Sequence, residues 1–100
     1  MSIKIALLKS GESVISDMKE LVQDGEVRGY SFEEPYIVDF VESSDLLLEE
    51  SGSDKAVEVS FSPWIAFTKD KKILVRADWI VTVITPLEEV EKLYKEMNNG

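Results

Sequence analysis

Covalent chemistry at neutral pH usually needs a thiol, an imidazole or a tuned pair of carboxylates. Among the 100 residues of this chain there is no Cys and no His. Thiolate nucleophiles, disulfides and thiolate metal sites are thereby excluded, and so is the commonest general base and zinc ligand. Carboxylates remain. Asp17, Glu20, Asp24 and Glu26 fall near one turn, and clustered carboxylates do acid–base work or hold a hard cation. Their spacing follows no ligand loop, however, and a solvated acidic face accounts for them. No glycine-rich phosphate cradle accompanies them. The chain is read as non-catalytic, with no metal site and no cofactor.

Two other groups carry recognition chemistry. Lys69, Lys71 and Lys72, set around Asp70, form the one local basic cluster, either a charged turn tip or a phosphate contact. Arg76 and Asp78 are the sharper pair. A guanidinium plane stacks on a nucleobase and donates hydrogen bonds, while an Asp two residues on holds a turn through local backbone bonds. Support of that turn, or of a subunit contact, is the competing role for both. Tyr36 and Phe32 offer aromatic faces for stacking, or core. The net charge of −9 argues against broad binding to phosphate backbones, which calls for a basic face, but permits a small pocket that reads a few unstacked bases. The same charge also serves plain solubility, or mimicry of nucleic acid toward a basic protein.

The elements that position these residues read as one mainly β domain. Ile3–Leu8 alternates as a first strand, and Gly11 permits a tight turn after it. Val14–Val22 is ambiguous: Val14, Ile15, Met18, Leu21 and Val22 fit a helix face by periodicity, and a strand by weaker alternation. Asp24-Gly25 marks a turn. Val27–Phe32 is a short strand or ordered loop, broken at Glu33-Glu34-Pro35, and Tyr36–Val41 is a strand.

Residues 42–54 hold five acidic residues, four serines, one glycine and no basic residue. That composition reads as a variable loop at about 42–55. Ala56–Phe61 alternates, Pro63 bends the chain before Trp64–Thr68, and Lys69–Lys72 reads as a hairpin connection. Ile73–Val75 and Trp79–Thr85 follow, split by Arg76-Ala77-Asp78. Both runs are apolar on both faces, as strands completed by a neighbour should be. A helix over about 86–97 closes the chain, with Thr85 as its cap and Pro86 at its first turn. No apolar run approaches the ~18 residues of a membrane span. Met1-Ser2-Ile3-Lys4 leads directly into a strand without the apolar core of a leader, so a cytoplasmic address is expected.

Hydrophobic–Arg–small–Asp–x–Ile, here Arg76-Ala77-Asp78 with Ile80, resembles the second signature of the Sm/LSm (Hfq-related) family. The chain looks like a divergent member, of a kind expected in a bacterium or phage. Ala77 stands where that signature has Gly, so a turn needing positive φ would be strained there. Leu7–Ile15 looks like the strand, glycine turn and second strand of the first signature, and on that likeness Val14–Leu21 is assigned to a strand.

The resemblance implies a strongly bent, five-stranded, SH3-like antiparallel barrel, here with a C-terminal helix. It further implies a homo-oligomeric ring of about five to seven subunits. In such rings the fourth strand of one subunit pairs with the fifth of the next, which assigns Ile73, Val75, Trp79, Val81 and Val83 to the interface. A monomer whose helix covers the edge is the competing arrangement. Single-stranded RNA is the ligand the family implies, with Arg76 and Asp78 at the matching positions and Tyr36 as the stacking face. The alternative is a ring that serves protein interaction or assembly without an RNA pocket.

Overall fold

The computed structural model describes residues 2–40 and 59–99. The acidic stretch at about 42–55 lies outside them. Among the described residues, six strand segments and one helix follow in order: β1 (Ile3–Leu8), β2 (Ser13–Gln23), β3 (Glu26–Phe40), β4 (Val59–Pro63), β5 (Lys72–Arg76), β6 (Ile80–Ile84) and α1 (Glu88–Asn99). All pairings are antiparallel, in the spatial order β4-β3-β2-β1-β6. β5 lies on the same side of β3 as β4 and pairs with its earlier half. The sheet is therefore five strands wide, and it curls into a strongly bent half-barrel with the helix on its outer face.

The ambiguous Val14–Leu21 is strand, and the reason its pattern mimics a helix is visible. Val14 and Ile15 are adjacent, yet both are fully buried. Val14 faces the barrel interior with Ala6, Leu8, Met18, Phe32 and Val75. Ile15 faces the other way, packing with Ile3 under Val90 and Tyr94 of α1. A strand covered on both sides loses the clean period of two, and here long-range pairing outweighs local propensity.

β2 and β3 join through Asp24 and Gly25, both at positive φ (55° and 78°). That is the backbone of the tight hairpin turn that Asp-Gly favours. β3 then runs for 15 residues, because Glu33-Glu34-Pro35 bends the strand without ending it. Its first half, Gly29–Glu33, pairs with β5 and its second half, Tyr36–Phe40, with β4. At the bend Glu34 takes φ 55°, a conformation uncommon for a side chain of this kind. Three contacts from β2 and the following loop help to hold it. The buried Ser16 hydroxyl donates to the Glu33 carbonyl at 2.8 Å, the Glu34 amide donates to the Lys71 carbonyl at 2.9 Å, and the Trp64 amide donates to the Pro35 carbonyl at 3.2 Å.

Two expectations from the sequence need correction. Lys69–Lys72 does not close a hairpin, since β4 and β5 pair with β3 rather than with each other. Residues 64–71 instead form a loop pinned at both ends to the bend in β3. Thr85 does not cap the helix: its hydroxyl oxygen accepts from Lys4 Nζ at 2.9 Å. The first helical bonds run from the Val90 and Glu91 amides to the Leu87 carbonyl, both at 3.0 Å, so the helix starts two residues later than its cap signal suggests. Among the described residues, no helix is long and apolar enough to cross a membrane.

A candidate binding cleft at the open sheet edge

β5 ends in a single 3-10 turn, Ala77–Trp79, before β6 begins. This turn positions Arg76 and Asp78. Ala77 is not among the residues with positive φ, so its replacement of glycine brings no strain. Arg76 Nη2 donates to Asp78 Oδ2 at 2.9 Å, with both side chains mostly in water (84 % and 66 % exposed). Such a pair adds little stability.

The backbone around the turn is tied down. The Lys9 amide donates to the Trp79 carbonyl at 3.0 Å, which fixes the turn to the β1–β2 connection. On the other side, Gly29 of β3 lies opposite Arg76. A Cβ at Gly29 would sit 2.6 Å from the Val75 carbonyl oxygen, so the β3–β5 approach at this point depends on the absence of a side chain. Sequence reading did not single out Gly29, because close approach to a partner 46 positions away leaves no local mark.

Beside the pair lies an open cleft of about 620 Å³, whose walls include Trp64, Ile65, Leu74, Arg76, Asp78 and Trp79. Trp64 is its rigid end. Its ring packs on the buried Phe32 with centroids 5.7 Å apart, and its Nε1 donates to Glu12 Oε1 at 3.2 Å. Trp79 is 45 % and Leu74 70 % exposed. A planar cation beside indole and aliphatic surface suits a flat, partly apolar ligand group.

Tyr36 does not line this cleft. Its ring meets Tyr94 edge-on at a centroid distance of 6.4 Å and packs in the cluster under the helix. Phe32, the other aromatic candidate, is completely buried. Among the edge residues, Val75 is buried, and Ile73 and Val83 pack half-buried against the interior cluster. Trp79 and Val81 (58 % exposed) face solvent. The most exposed apolar side chain on β5 is Leu74, which sequence reading passed over because a run apolar on both faces does not say which face will be left open. Among the described residues no group of three or more acidic side chains is arranged to hold a metal ion, and Asp17, Glu20, Asp24 and Glu26 are strung along the β2–β3 hairpin.

Fold and cleft together define a small, strongly bent half-barrel domain whose two sheet edges are unpaired among the described residues, with an open cleft at one of them. The chain belongs to DUF6561, a family of unknown function whose sequence profile matches residues 1–99. A search of the curated proteins finds no match to this chain.

Proposed function

We propose that this chain is a non-catalytic, ring-forming module of the Sm-like kind, joined head to tail through the β5 edge of one copy and the β6 edge of the next. One observation carries the reading. β5 and β6 each pair on one side only among the described residues, and both leave apolar side chains in water, Leu74 on β5 and Val81 and Ile84 on β6. α1 lies on the face built from Ile3, Ile15 and Tyr36. Unpaired apolar edges call for a partner, and a heterologous contact between two different edges generates a ring when its rotation closes. Light scattering on a size-exclusion column tests this. A mass about five to seven times that of the 11.3 kDa chain supports it, and a monomer overturns it.

A second observation favours single-stranded RNA as the ligand. The exposed guanidinium of Arg76 stands over a cleft walled by Trp64 and Trp79, and unstacked bases bind to such surfaces by stacking. Tyr36 takes no part in this form of the reading. The competing use is a ring that binds another protein and no RNA. Fluorescence anisotropy with short single-stranded RNA separates them. Binding that survives moderate salt and weakens in Arg76→Ala supports the RNA reading, since stacking is screened less than phosphate contact. Binding unchanged in Arg76→Ala removes it. The cytoplasmic address expected from the sequence belongs with this reading.

A further inference from the structure

We infer that the cleft beside Arg76 and the assembly edge of β5 are one surface, so that RNA in the cleft and a neighbouring copy on β5 exclude each other. This rests on the assembly and the ligand proposed above and adds that the two compete.

The lining of the cleft carries the argument. Ile73, Leu74, Val75 and Arg76 all border it, and they are successive residues of β5. Successive residues of a strand point to opposite faces of a sheet. Their surroundings follow that rule. Ile73 and Val75 belong to the interior cluster with Phe32, whereas Leu74 is 70 % exposed and Arg76 stands in water on the other side. A hollow bordered from both faces of a strand has to pass around one of its edges. One edge of β5 is filled by β3, over Gly29–Glu33. The cleft therefore runs around the other edge, which has no strand beside it among the described residues.

The walls fit this course. Trp64 packs with the interior cluster and so stands on the Ile73 and Val75 side, while Arg76 stands on the Leu74 side. A neighbouring strand would lie about 4.8 Å from β5, in the plane of its sheet, between these two sides. A base stacked on the Arg76 guanidinium and reaching either tryptophan needs the same space. The cleft borders all of β5 except Lys72, so a strand pairing along β5 fills it rather than skirting it.

The consequence is a linkage. When two partners share one site, each weakens the binding of the other by the same factor. In a closed ring every β5 edge is covered. RNA then binds copies whose edge is open and draws the equilibrium toward them.

The chain carries its own reporter, since both of its tryptophans, Trp64 and Trp79, border the cleft. Acrylamide quenching of tryptophan fluorescence is measured beside sedimentation velocity across a dilution series of the wild type. Quenching should be weaker in assembled copies than in dissociated ones, because the neighbour covers the cleft. A short single-stranded RNA of mixed sequence, at a free concentration about ten times its Kd, should weaken association about tenfold. Where the wild type assembles, equal quenching in the two states overturns the shared surface and leaves edge-to-edge assembly standing. Association that bound RNA leaves unchanged or strengthens does the same. A wild type that stays a single copy at every concentration overturns the assembly and this inference together. RNA that fails to bind removes the ligand reading and the competition with it.

Discussion

The hydroxyl of Tyr94 lies 2.8 Å from the carbonyl oxygen of Glu34 and 3.1 Å from that of Glu33, and it donates to both. A residue of the C-terminal helix thus ties down the bend in the third strand, 60 positions earlier. That bend lets β3 serve two partners, β5 before it and β4 after it. The cleft at Arg76 is therefore positioned in part by the helix, although the helix contributes no side chain to it. Tyr94 itself is buried, with Tyr36 and Phe61 edge-on to its ring at 6.4 and 6.5 Å.

Tyr94→Phe keeps this ring packing and removes only the hydroxyl. Loss of a hydrogen bond of this kind costs about 1–2 kcal/mol. A chemical denaturation curve should show a lower midpoint with an unchanged slope, because the surface exposed on unfolding stays the same. A midpoint equal to that of the wild type would mean that the hydroxyl contributes nothing to the bend.

The same hydroxyl makes stability depend on alkaline pH. Burial, reinforced by the charges of Asp17 and Glu34, pushes the Tyr94 pKa from 10.0 up to about 12, against opposing hydrogen bonds at Asn98 and the Asp17 backbone. The fold thus favours the protonated phenol. Its contribution is complete below the unfolded pKa of 10.0 and is lost as pH rises from there through about 12. Denaturation midpoints measured across that window should fall more steeply for the wild type than for Tyr94→Phe. Parallel slopes would show that Tyr94 is not the group responsible.

Gly29→Ala tests whether close strand approach positions Arg76. The new Cβ would sit 2.6 Å from the Val75 carbonyl oxygen, so β3 and β5 must separate or shift. Overpacking of this sort costs about 1–3 kcal/mol. Hydrogen exchange should speed up at the β5 amides that pair with Gly29–Glu33, while the β1–β2 amides stay protected. Uniform protection in the variant would show that the strands absorb the methyl without opening.

These features were unequally legible in the sequence. The alternation of Ile3–Leu8 and the Asp24-Gly25 turn are local, and local signals suffice for them. Val14–Met18 carried a helix period because two covers, the barrel interior and α1, bury neighbouring residues, while Leu21 and Val22, which extended the pattern, are exposed. Pro63 and the lysines at 69–72 look like a bend and a hairpin, but whether β4 pairs with β5 or with β3 is decided by contacts 19 to 47 residues distant. Arg76 and Asp78 stood out because a two-residue spacing across a turn is itself local. That Tyr36 is spent on Tyr94 was not readable, since an alternating aromatic looks the same whether a helix covers it or a ligand does. Thr85 failed as a cap for a similar reason: its hydroxyl found Lys4, 81 positions away.

Arg76→Ala separates binding from folding. The Arg76–Asp78 pair is 84 % and 66 % exposed, so its loss should change stability by no more than about 0.5 kcal/mol. Asp78 does not then become a buried unpaired charge, because it already faces water. A melting curve superimposable on that of the wild type is therefore expected. Against that unchanged fold, an anisotropy titration reads the guanidinium alone. Base stacking is worth about 1–3 kcal/mol per base, so affinity for single-stranded RNA should fall about fivefold to a hundredfold. Arg76→Lys keeps the charge and removes the planar face. If the plane is what the ligand uses, Arg76→Lys should bind as poorly as Arg76→Ala. If Arg76→Lys binds as well as the wild type, Arg76 acts as a point charge and the cleft beside it is not where a base stacks.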